Sequence, residues 1–309
     1  MKSLAVLSLL VASALSGDLP CGPGLIAVPK DADRFECLTV AESNHLESLE
    51  RSKRFDADGS TRFFLWTQQT AEGVREELQL EDPASLRNST FDPRNPTRIL
   101  IHGWFNDWRM ESVRGLSRAY LAKGAYNVIG IDWSAGASTI LYHAARMRVG
   151  AVAATIAKQI RTLLKAGQHP AQIALIGHSL GAHVAGLTGK HFQTEPKLAA
   201  IVALDPAGPL FAGDRPAERV DANDAQYVEV IHTNMGLMSH RDAAVRNRAV
   251  GRTVVATTEP WSISTDHSSA TPELHCTLAD AVQRRLLMNS AMEPWPLWEV
   301  IPMIASKQK

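Results

Sequence analysis

The sequence predicts an α/β protein with a mostly parallel central sheet and helices on both faces. Three observations predict it. Short β-branched apolar runs recur through the middle of the chain, helical patterns lie between them, and turns bearing Gly, Ser, His or Asp follow several runs directly. Parallel strands covered on both faces read as continuous apolar stretches, and reactive groups in such sheets sit at the carboxyl ends of strands. The composition agrees. With 309 residues, 45% apolar and 21% charged, the chain suits a packed globular protein and excludes disorder, collagen-like repeats and coiled coil. Lys+Arg 32 cancels Asp+Glu 32, with pI about 7.2, so no basic excess points to a nucleic-acid partner.

Taken in order, the N-terminus comes first. Met1-Lys2-Ser3 leads into an apolar run from Leu4 to Leu15, with small residues at Ala14 and Ser16. That pattern is a secretory signal peptide over residues 1–16, cleaved after Ser16. The run is too short to cross a bilayer, and no later stretch approaches ~18 uninterrupted apolar residues. The expectation is a secreted, extracellular protein without a transmembrane segment. In an oxidising compartment Cys21 and Cys37 could staple the mature N-terminus, leaving Cys276 over. Asn88-Ser89-Thr90 fits the N-glycosylation acceptor pattern, although such triplets often go unused.

Five segments read as buried strands: Arg98 to Ile101, Tyr126 to Asp132, Ile173 to Ile176, Ile201 to Leu204 and Tyr227 to Ile231. Between the second and third, Val149, Val152, Ile156, Ile160, Leu163 and Leu164 fall on one face of a helix over Val149–Lys165, with Gly167 as its stop. The third strand runs into Gly177-His178-Ser179-Leu180-Gly181 and then a helical Ala182 to Leu187. A bare GxSxG is weak, since a chain this long yields roughly 0.1 match by chance. Strand before and helix after make it a nucleophile elbow, in which glycines permit the sharp turn that lifts Ser179 clear of the sheet.

Acyl transfer needs two donors aimed at a developing oxyanion. One is the N–H after the nucleophile, Leu180. The other is expected from a turn after an earlier strand, and Arg98 to Ile101 leads into His102-Gly103-Trp104-Phe105, where Trp104 would present it. The acid should end the next strand. Ile201 to Leu204 ends at Asp205, 26 residues beyond Ser179, where a carboxylate would orient a histidine and stabilise its imidazolium.

Carried by TRILIHGWFNDW (Thr97 to Trp108), YNVIGIDWSAGA (Tyr126 to Ala137), IALIGHSLGAHVAGLTGK (Ile173 to Lys190), IVALDPAGPLF (Ile201 to Phe211) and NDAQYVEVIHTN (Asn223 to Asn234), the chain resembles the pancreatic lipase family. These are secreted α/β-hydrolases, and the resemblance is strongest to arthropod members. It covers roughly residues 60 to 235. It implies an α/β-hydrolase fold, Ser179 as nucleophile, Asp205 as acid, and Trp104 and Leu180 as oxyanion donors. It also implies cleavage of lipid esters, either triacylglycerol or phospholipid at the sn-1 position, with no required metal or cofactor.

Beyond Gly236 the pattern departs from the family. Members usually carry a glycine-rich segment with paired cysteines and then a Cys-x-His motif, whereas Arg246 to Thr258 has no cysteine. The nearest remnant of the base motif is Thr265 to Ala270, giving His267, 88 residues beyond Ser179. His240 and His275 compete, and His232 reads as structural. The expected organisation is a signal peptide, then one hydrolase domain over 17–309 without a C-terminal β-sandwich. The short Gly236 to Asp266 stretch leaves little room for a lid and leans towards phospholipids or small esters. Two functions follow: a secreted serine esterase of the lipase or phospholipase A1 type, with a lipid surface as candidate partner, or a lipase-derived lipid-binding or storage protein that has lost its chemistry. Oligomeric state is left open.

Overall fold

A computed structural model describes residues 21–22, 24–29, 35–52, 55–70, 74–139, 141–211, 215–232 and 253–255. The chain begins with a hairpin of β1 (Leu25–Pro29) and β2 (Phe35–Thr39), closed by a Cys21–Cys37 disulfide. Helices α1 (Val40–Ser52) and α2 (Ala57–Ser60) lead to β3 (Arg62–Trp66), β4 (Glu76–Leu78) and α3 (Pro83–Arg87). There follow β5 (Thr97–Ile101), α4 (Glu111–Lys123), β6 (Asn127–Asp132), α5 (Ser134–Ala137) and α6 (Tyr142–Lys165). The last described elements are β7 (Ile173–His178), α7 (Leu180–Lys190), β8 (Ala200–Leu204), β9 (Tyr227–His232) and β10 (Thr253–Val255).

Among the described residues, eight strands form one sheet in the order β10-β9-β8-β7-β5-β6-β3-β4. All neighbours from β10 to β6 pair in parallel, and only the pairings of β3 with β6 and β4 are antiparallel. From β5 the chain steps to β6 on one side and later returns to β7 on the other. That reversal puts a topological switch point at the carboxyl ends of β5 and β7, the usual position of a ligand site in such sheets. This is the α/β-hydrolase fold.

The period-2 pattern of each strand divides the core into two layers. Phe63, Leu65, Ile99, Ile101, Ile129, Ile131, Ile201 and Ala203 face α6 and α7, while Phe64, Trp66, Leu100, Val128, Val202 and Leu204 face α4. Every residue of β5 is buried; Ile99, Leu100 and Ile101 form the apolar run that two covered faces favour, while Thr97 and Arg98 are buried with hydrogen-bond partners. On α6, Val149, Val152, Ile156, Ile160 and Leu163 are buried against the sheet. At about 1.5–3 kcal/mol for each buried side chain, this packing holds the helix more firmly than intrinsic propensity could.

The five predicted strands are all present, each extended or trimmed by one or two residues. The helix expected over Val149–Lys165 starts seven residues earlier, at Tyr142. Its added turns carry His143 and Arg146, polar side chains that the apolar pattern could not include. Arg146 is nevertheless buried, because its guanidinium donates to Leu210 O and pairs with Glu218. The Cys21–Cys37 bridge joins the pair expected from sequence. Residues 1–16, Cys276, His240, His267 and His275 lie outside the described residues.

Candidate active site

Three loops leave the carboxyl ends of β5, β7 and β8 and meet. The first is the turn after β7. His178 ends the strand, Ser179 adopts φ 56° and ψ −119°, and Leu180 begins α7. For a serine this is sparsely populated backbone, costing of order 1–3 kcal/mol and persisting only where the surroundings enforce it. The enforcement is visible. A Cβ on Gly177 would stand 2.1 Å from Gly181 O, and one on Gly181 would stand 2.4 Å from Ile101 O. Only glycine fits at either position. Ser179 N–H donates to Leu204 O (3.0 Å), and Ser179 O accepts from Ala182 N and Ala207 N.

The second loop follows β8. Asp205 has φ 41° and donates its N–H to Ile231 O on β9 at 2.7 Å. Residues 205–211 are then held from two helices. From α7, His183 Nε2 contacts Ala207 O at 2.8 Å while its Nδ1 accepts from Val220 N–H, which places the ring proton on Nε2. The same ring stacks on Phe211 with centroids 3.6 Å apart. From α6, Tyr142 donates to Pro209 O and Arg146 donates to Leu210 O.

The third loop follows β5. His102 is buried, with Nδ1 at 2.9 Å from Gly103 O and Nε2 accepting from Trp133 N–H at 3.1 Å. The proton is therefore on Nδ1, and the 3.6 Å approach of Nε2 to Asp132 Oδ1 is not an ion pair. Trp133 returns a second bond, Nε1–H to His102 O, and stacks on the imidazole. Gly103 lies against Ser179: a Cβ on it would be 2.8 Å from Ser179 Cβ. Trp104 donates its indole N–H to Thr139 O and Phe105 donates its backbone N–H to Ala137 O. Among the described residues, the backbone N–H groups of Trp104 and Leu180 have no acceptor. Phe105, 60% exposed, and Leu141, 53% exposed, add an apolar rim around Trp104.

The structure thus brings together Ser179, Asp205, Trp104, Leu180, Gly177 and Gly181. The base candidate His267 lies outside the described residues. His232 is the last residue of β9. Beside Ser179, burial pushes the His178 imidazole below its ordinary value; Asp205 opposes that shift and His102 adds to it. Its Nδ1 is buried without a partner among the described residues. No group of three or more His, Cys, Asp or Glu side chains is placed to hold a metal ion among the described residues.

Sequence reasoning missed His183, His102, Tyr142 and Arg146. His183 alone carried a usable signal, because it stands four residues after Ser179 and therefore on the same side of the helix.

Residues 32–250 match the model of a protein family described as Lipase. The chain is 35% identical to the pancreatic triacylglycerol lipase of Myocastor coypus over 57% of its own length and 37% of that protein. It is 36% identical to the inactive pancreatic lipase-related protein 1 of Mus musculus over 57% of its own length and 36% of that protein. The chain therefore spans little more than a third of the relatives it matches. A phospholipase/carboxylesterase from Dyadobacter fermentans superposes with TM-score 0.41 at 14% identity, over 57% of this chain and 88% of that one.

Proposed function

The chain belongs to the lipase family, and on that premise we propose that it is a secreted carboxylic ester hydrolase acting on lipid esters. Ser179 Oγ attacks the ester carbonyl while His267 takes its proton, and Asp205 orients that histidine and balances its charge. The N–H groups of Trp104 and Leu180 stabilise the tetrahedral oxyanion. Collapse expels the alcohol with a proton from His267. Water, deprotonated by the same histidine, then attacks the acyl-enzyme and releases the fatty acid. The observation that carries this reading is the strained Ser179, φ 56°, followed by Leu180 on a strand–turn–helix beside the loops of Asp205 and Trp104, with the Leu180 and Trp104 N–H groups unbonded among the described residues.

The substrate is triacylglycerol or the sn-1 ester of a phospholipid. The apolar rim of Phe105 and Leu141 supports an acyl chain or lipid surface as the group met first. Export rests on the residue 1–16 pattern. Among the described residues no helix is long and apolar enough to cross a membrane.

A fluorophosphonate probe tests the reading. The mature protein should be labelled at Ser179, and Ser179→Ala should lose both label and ester turnover. Turnover that survives Ser179→Ala would sink the mechanism. His267→Ala, assayed on triacylglycerol and phospholipid, tests the base and the substrate class together. A second reading is favoured by the loss of the paired-cysteine segment after Gly236: a lipase fold kept for lipid binding or storage. Lipid co-purifying with a protein that neither labels nor turns over would support it.

A further inference from the structure

The sequon Asn88-Ser89-Thr90 takes no part in the proposed chemistry, and its three residues are treated very differently by the fold. Asn88 caps the C-terminus of α3, donating its backbone N–H to Ala84 O at 3.0 Å. Its side chain is exposed and, among the described residues, makes no hydrogen bond. Thr90 is instead locked. Its hydroxyl donates to Glu76 Oε2 at 2.5 Å and accepts from Thr67 Oγ1 at 2.8 Å, while its N–H donates to the same Glu76 oxygen at 2.9 Å.

The position is also compatible with a large substituent. From Thr90 the chain runs through Asp92 and Asn95, both bonded to Asn127 at the start of β6, and into Thr97 at the start of β5. Those residues lie at the amino ends of the parallel strands, whereas Ser179 and Asp205 follow carboxyl ends. A bulky group on Asn88 would leave the candidate active site open.

We propose that Asn88 carries an N-linked oligosaccharide, attached before Thr90 reaches its partners on Glu76 and Thr67. The donor is an oligosaccharide linked to a lipid diphosphate. Asn88 Nδ2 forms a bond to the anomeric carbon and loses one proton. The bond from that carbon to the diphosphate oxygen breaks, and the lipid diphosphate departs with the electron pair. Acceptor recognition requires a Ser or Thr two residues after the asparagine. In the folded chain that hydroxyl is committed to Glu76, so an unfolded segment is the better acceptor. The proposal rests on the export reading above.

The full chain, expressed in animal cells, provides the test. Secreted wild type should lose mass on treatment with an amidase that cleaves asparagine-linked glycans, and the peptide spanning position 88 should then contain aspartate. Asn88→Gln and Thr90→Val should abolish the shift, and Thr90→Ser should retain it. The wild-type peptide decides the matter even if a variant fails to fold. Secreted protein with an unmodified Asn88 would overturn the proposal and leave the hydrolase reading untouched. Protein retained in the cytosol with residues 1–16 attached would overturn export and glycosylation together. Pulse labelling checks the order: the glycan should precede protease resistance, and a glycan gained only by the resistant form would overturn that order.

Discussion

The two ends of the same parallel strands are built on opposite principles. At the amino ends, polar side chains are matched to backbone. Asn127 bonds Asp92 and Asn95 through both ends of its amide, and Thr97 bonds Gln168 at 2.6 Å. At the carboxyl ends the backbone is strained and some donors are left over. Of the five non-glycine residues with positive φ among those described, Phe105, Ser179, Asp205 and Leu210 all follow β5, β7 or β8. The fifth, Glu81, lies elsewhere. The satisfied end stabilises; the strained end holds reactive groups in positions they would not adopt alone.

Substitutions at the two ends should therefore separate activity from stability. The largest effect is expected at Gly181→Ala, where the new Cβ would meet the carbonyls of Ile101 and His102 at 2.4 and 2.5 Å. Ester turnover should fall by on the order of a hundredfold or more, because a displacement of about 1 Å at a reacting group already costs that much. Normal turnover would show that the elbow geometry is not needed.

Asn127→Ala should do the reverse. Leaving the buried groups it bonds unsatisfied should cost about 2–4 kcal/mol in urea unfolding, while the folded fraction keeps its turnover. A comparable loss of activity would erase the distinction between the ends. His183→Ala falls between them. Loss of its bond to Ala207 O and its stack on Phe211 should lower kcat about tenfold with little change in KM. His183→Gln should recover part of that loss, and an effect on stability alone would make His183 a packing residue only.

The smallest effect concerns pH. Asp224 is buried beside Lys190, and burial pushes its carboxyl up to about 6, against the pull of that ammonium. A raised pKa stabilises the fold below the unfolded value of 3.8, and that contribution is lost as pH rises through about 6. Wild type should thus lose stability relative to Asp224→Asn between those two pH values. A constant difference across that interval would mean that folding does not raise the Asp224 pKa.

How much was legible follows from the same physics. The central strands could be read because burial on both faces favours apolar runs, as in Ile99, Leu100 and Ile101 of β5 and Ile173, Ala174, Leu175 and Ile176 of β7. The edge strand Glu76–Leu78 could not, because it mixes charged with apolar residues where an edge meets solvent, and its inner neighbour Arg62–Trp66 opens on an exposed Arg62. The hairpin Leu25–Pro29 with Phe35–Thr39 was likewise unread, although its disulfide partners were named. The candidate residues Ser179, Asp205, Gly177, Gly181, Trp104 and Leu180 could be named from sequence because each stands within three residues of a recognisable strand end. His183, Tyr142 and Arg146 could not, since what they hold is distant in sequence, and although His102 directly follows β5, its bonds to Trp133 span 31 residues.

By itself, the sequence determined the alternation of strand and helix, the candidate residues at the strand ends, and the glycines at the turn. Those are local matters of periodicity and steric allowance. Tertiary structure alone decided that His183 would hold the loop after Asp205 through Ala207, and that Arg146 and Asp224 could be buried at all. The physical reason is that a polar group can be buried only where its partners meet it, and these partners lie tens of residues away along the chain.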